Sequence, residues 1–116
     1  MASSILADKS LAFAIRIVNC VKFLRCDKSE HVMSKQILRS GTSIGANIYE
    51  AAYAQSKADF VSKLSISLKE ASETSYWLTL LSKTDYLEED AYVSMKTDVD
   101  EIIRLIIASV KTSKKQ

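Results

Sequence analysis

The chain contains no proline, and its only two glycines, Gly41 and Gly45, stand four residues apart. Strands and tight turns draw heavily on both residue types, so a chain almost without them has few ways to reverse direction often. Long helices joined by short connections are the outcome this predicts. The glycines lie inside a run that otherwise reads as helix, where each costs roughly 1 kcal/mol relative to alanine. Close approach by a neighbouring helix is the reading that justifies them.

Periodicity divides the 116 residues into four amphipathic segments of one domain. The first is expected at about 4–26, with Leu6, Phe13, Ile17, Val21 and Leu24 as its core stripe. A second apolar stripe, Leu11, Ile15 and Val18, lies well away around the same helix. A helix in an isolated bundle needs only one such face. The second helix is expected at about 30–54, with Met33, Ile37, Gly41, Ile44, Ile48, Ala51 and Ala52 inward.

Ser56 followed by Asp59 resembles a cap and opens a third helix, about 57–82. Phe60, Leu64, Leu68, Ala71, Ser75 and Leu78 are read as its inward face. The fourth helix, about 88–111, carries Tyr92, Met95, Val99, Ile102, Ile103, Ile106 and Val110. Four such segments with short joints predict an all-α, up-down-up-down antiparallel four-helix bundle.

The types and spacings present disfavour catalysis. His31 is the only histidine, and Cys20 and Cys26, six apart on one helix, cannot face each other to form a disulfide. They read as two packed thiols in a reducing cytoplasm. Glu70 and Glu73 have no histidine partner, so neither a metal nor another cofactor is expected. The segment from Gly41 to Gly45 lacks the lysine of a phosphate loop and falls within a helix. No apolar run reaches the length of a membrane span, and the N-terminal residues lack the pattern of a secretory signal.

Charge is unevenly placed although the net is only +2. Residues 1–40 hold seven basic and three acidic side chains, and residues 85–101 hold seven acids against Lys96. The C-terminal stretch is basic again through Lys111, Lys114 and Lys115. Such segregation fits either a basic patch or two solvated faces.

Two surfaces are singled out. Ile66, Trp77 and Leu80 fall away from the inward face of the third helix. With the second stripe of the first helix they predict a homo-oligomer with Trp77 at a subunit contact; Trp77 lying across its own bundle is the alternative. Arg39, Ser43, Asn47 and Glu50 line one side of the second helix. They form either a solvated face or a polar seam along the third helix, where Lys63, Glu70 and Glu73 supply opposite charges.

The run LRSGTSIGANIYEA, followed by DFVSKLSISLKEASETSYWLTLL, resembles the four-helix proteins encoded in intervening sequences of bacterial large-subunit (23S) ribosomal RNA genes, which carry a ribosomal-protein-like label. The resemblance is densest from Leu38 to Leu81. It implies a bacterial, cytoplasmic four-helix bundle that assembles as a pentamer. More distantly the chain is similar to accessory proteins of diversity-generating retroelements, basic barrels that bind nucleic acid and a reverse transcriptase. The net charge here departs from that strongly basic pattern.

The function expected is therefore a non-enzymatic oligomeric adaptor that binds RNA or DNA. Lys9, Arg16, Lys22, Arg25, Lys111, Lys114 and Lys115 would contact phosphates without reading sequence. The competing expectation is a protein-interaction scaffold with no nucleic-acid role.

Overall fold

The computed structural model describes residues 2–115, with side chains from Ile5 onward. Within them the chain forms four α-helices and no strand: α1 (Ala2–Asp27), α2 (Met33–Ala51), α3 (Lys57–Lys83) and α4 (Glu89–Lys115). Each packs against two others, α1 and α3 both touching α2 and α4, in a body of 47 × 21 × 19 Å. The core stripe of α1 is buried against Ile37, Ile44, Ile48, Leu64, Leu78, Val99, Ile102 and Ile106. Burial of such side chains, about 1.5–3 kcal/mol each, is the main force joining the helices.

The connections explain where the helices end. After α1, Ser29 takes a left-handed conformation and the Glu30 N–H donates to the Leu24 carbonyl. Glu30 was expected inside the second helix, but it precedes it. Its carboxylate accepts the N–H groups of Val32, Met33 and Ser34 at 3.2, 3.1 and 2.7 Å, satisfying the unpaired donors of α2 from outside. At the other end α2 stops at Ala51 rather than Ala54. The N–H groups of Ala52, Tyr53 and Ala54 donate three residues back, which tightens the turn, and Ala52 is exposed, not in the core.

Ser56 caps α3 by accepting the Asp59 N–H at 3.1 Å, and the Asp59 carboxylate accepts the Gln55 N–H at 3.3 Å. Past Lys83, Asp85 turns left-handed and the Tyr86 N–H donates to the Leu81 carbonyl, a closing bond of the kind that ends helices. Glu89 and Asp90 then stand in the first turn of α4, where negative charge is favoured.

The inward face of α3 is rotated from the one expected. Ser67, Thr74 and Leu81 are buried with Leu64, Ala71 and Leu78, whereas Phe60, Leu68 and Ser75 are only half-buried. The cause is the close packing of α2. Ser67 Oγ donates to the Ile44 carbonyl at 2.8 Å, and Thr74 Oγ1 lies 2.9 Å from Ser40 Oγ and 2.8 Å from the Glu70 carbonyl. Small hydroxyl side chains fill a space that a larger apolar residue would force open. Of the two thiols expected to be packed, Cys20 is buried but Cys26 is exposed.

Candidate functional site

The two glycines face α1. A Cβ at Gly41 would lie 2.7–2.9 Å from three side-chain atoms of Ile17, and one at Gly45 would lie 3.4 Å from the Ser10 carbonyl oxygen. Along this contact residue numbers rise in α2 as they fall in α1. Ser10 suits the approach because its hydroxyl turns inward onto the Leu6 carbonyl at 2.6 Å.

Polar side chains run along the opposite edge of α2, beside α3. Arg39 pairs with Glu73 at 3.2 Å, and the same Glu73 oxygen accepts the Trp77 indole N–H at 3.0 Å. Lys63 bonds Glu50 at 3.0 Å, which raises the Lys63 pKa, chiefly through the hydrogen bond. Ser43 and Asn47 lie between these pairs but serve their own helix: Ser43 Oγ donates to the Arg39 carbonyl and Asn47 Nδ2 to the Ser43 carbonyl. Glu70 has one buried carboxylate oxygen without a hydrogen-bond partner. Trp77 is half-buried against its own core, its ring edge-on to Tyr76 with centroids 5.1 Å apart.

A second seam joins α1 to α4 and takes up part of the basic set. Lys9 pairs with Glu101 at 3.2 Å, and Arg16 bonds both Asp98 and Ser94. Arg25 donates to Ser34 at 3.3 Å. Lys22, Lys111, Lys114 and Lys115 are exposed and make no ion pair with the described residues. The seven residues grouped by charge alone thus divide into three engaged within the fold and four open to solvent. The acidic stretch 85–101 was the signal that could have paired Arg16 and Lys9 with α4; the buried hydroxyls of Ser40, Ser67 and Thr74 carry no comparable signal.

Beside this seam an open groove of about 480 Å³ lies between α1 and the start of α4, floored by Phe23, Leu87, Ala91 and Met95. Cys20 also reaches it; burial pushes this thiol up to about 11, against a smaller opposing effect of Arg16, so the group is a neutral apolar wall at neutral pH. The second α1 stripe remains outside the core, Leu11 63% and Ile15 55% exposed. On α2 the Tyr49 and Tyr53 rings, 5.5 Å apart, are exposed as well.

Among the described residues no cluster of three or more His, Cys, Asp or Glu could hold a metal ion, and no helix is long and apolar enough to cross a membrane. The geometry offers exposed apolar side chains on α1 and open lysines on α1 and α4, in a compact four-helix all-α protein. Residues 3–108 match the family model described as 23S rRNA-intervening sequence protein, and the chain belongs to that family. It is also similar to a solved structure of a protein of unknown function from the S23 ribosomal protein family of Bacteroides thetaiotaomicron. The two share 58% identity with a TM-score of 0.94, over 96% of this chain and 99% of that one. Among curated proteins there is no match.

Proposed function

We propose that the chain is a non-enzymatic, self-associating four-helix bundle of up-down-up-down topology that acts as a protein-interaction scaffold. One observation carries this reading. Leu11, Ile15 and Val18 form an apolar stripe on α1 that the described residues leave exposed. Contiguous apolar surface of this kind marks contacts between molecules. Pairing of Arg39 with Glu73 and of Lys63 with Glu50 suits a scaffold whose helices must hold one register. A ring of five copies is the assembly that the family resemblance implies. The free thiols Cys20 and Cys26 fit a cytoplasmic setting.

Nucleic-acid binding is the second reading, favoured by Lys22, Lys111, Lys114 and Lys115, which are exposed and make no ion pair with the described residues. It is the weaker one, because Lys9 and Arg16 already meet acids of α4. A reverse transcriptase, the partner in distant relatives, would use the protein surfaces of the first reading.

Sedimentation equilibrium at micromolar concentration tests the proposal. The native chain is expected above its monomer mass of 12.9 kDa, and Ile15→Glu is expected to return it there. A native chain that stays monomeric sinks the scaffold reading. Retention of a structural RNA or a random duplex at low salt, lost on Lys→Glu change of the four open lysines, would favour the second.

A further inference from the structure

We infer that the groove between α1 and the start of α4 docks two turns of a basic amphipathic helix of another protein. This rests on the scaffold reading above and names the class of partner; the groove takes no part in self-association.

The groove interrupts the seam that joins α1 to α4. Lys9 pairs with Glu101, and Arg16, seven residues on, bonds Asp98 and Ser94. Another seven residues bring the same edge of α1 to Phe23, which carries no charge and is 38% exposed. On α4 the matching edge runs back from Asp98 and Ser94 to Asp90, at spacings of four. Asp90 thus lies where the seam calls for a cation, and α1 offers an aromatic ring instead.

The acids around this opening lack partners. Glu88 lines the groove, and Asp27 lies one turn beyond Phe23. Asp27, Glu88 and Asp90 are all exposed, and none forms an ion pair with the described residues. Of the basic groups nearby, Arg16 is held by its α4 partners, and Lys28 Nζ lies over the Phe23 ring, 5.9 Å from its centroid.

The shape suits a helix. Phe23, Leu87, Ala91 and Met95 floor a space of about 480 Å³. Its walls, Arg16 to Phe23 on α1 and Leu87 to Met95 on α4, run roughly 10–12 Å at 1.5 Å per residue. Two helical turns fill that length and seat apolar side chains at i, i+3 or i+4, and i+7. The flanking positions of such a helix meet Asp27, Glu88 and Asp90, so they carry lysine or arginine. A nucleic acid or an anionic surface would meet like charge here. Leu11 and Val18 lie about 120–140° around α1 from Phe23, so the apolar stripe and the groove serve different contacts.

Fluorescence anisotropy of labelled peptides against the full-length chain tests this. The probe is a synthetic peptide of about 14 residues, four turns, with leucine on one face and lysine on the other. One control has glutamate in place of lysine, and another has the lysine peptide shuffled so that no face is apolar. The lysine peptide is expected to bind and both controls to fail. Ala91→Trp fills the groove from an exposed position and is expected to weaken binding about tenfold or more. Asp27→Lys/Glu88→Lys/Asp90→Lys is expected to lose the lysine peptide and take up the glutamate peptide instead. Ile15→Glu, outside the groove, is expected to bind as the native chain does.

Binding of either control by the native chain, unchanged binding in Ala91→Trp, or failure of the charge reversal to exchange the two peptides overturns the inference. Sedimentation of the same samples separates it from the reading on which it rests. Loss of association in Ala91→Trp would make the groove a contact between copies and overturn the inference. A native chain that associates but binds no peptide overturns it and leaves self-association standing. A native chain that is monomeric but binds the lysine peptide upholds the groove and removes self-association.

Discussion

Gly41 and Gly45 meet different surroundings, and alanine distinguishes them. At Gly41 a Cβ would fall within 2.9 Å of three atoms of Ile17, a β-branched side chain that is fully buried. Overpacking of that kind costs about 1–3 kcal/mol, against about 1 kcal/mol gained in helix propensity. At Gly45 the nearest atom is 3.4 Å away, an ordinary contact. Gly41→Ala is therefore expected to lower stability in urea unfolding, and Gly45→Ala to leave it unchanged or raise it by up to about 1 kcal/mol. Equal effects at both positions would contradict the packing of α2 on α1. Spacing alone makes the two residues equivalent; only the side chain opposite each separates them.

At the scale of the element, α2 is held by its entry and by its edge with α3. Burial works to raise the Glu30 carboxyl, but the N–H groups of Ser34, Met33 and Val32, with His31 nearby, outweigh it and its pKa is lowered. A carboxyl depressed in the folded state stabilises fully above its unfolded pKa, and the gain is lost as pH falls through the folded value. Glu30→Gln is thus expected to cost about 1 kcal/mol near neutrality. The gap to the native chain should close under acid, read by melting at stepped pH.

Along the α3 edge, the buried hydroxyls matter more than the ion pairs. Thr74→Val leaves the buried Ser40 hydroxyl without its partner and should cost about 1–3 kcal/mol. Arg39→Ala removes a pair whose arginine is 60% exposed and should cost about 0.5 kcal/mol or less. Chemical denaturation of the two variants checks the order. The charged edge was legible because charges at helical spacing stand out; Ser67 and Thr74 were not, because serine and threonine occur on both faces of helices.

For the whole molecule, the placement of Trp77 tests how much of the apolar surface association covers. The ring packs on its own core and its N–H is bound by Glu73, so dilution through the association range is expected to leave its emission maximum unchanged. A red shift on dilution would place Trp77 in the subunit contact instead. Four helices and most of the α1 and α4 core stripes followed from the residues themselves, and the family from the resemblance of the segment around Gly41 and Gly45. Proline-free composition and 3.6-residue periodicity are properties of a single chain segment, and each segment carries them before any packing occurs. The partners of Arg16 and Lys9, the shift of the buried face of α3 toward Ser67 and Thr74, and the neighbour that Gly41 faces depend on rotation of one helix against another. That rotation is set by the fit of side chains between helices distant in sequence, and only the tertiary structure decides it.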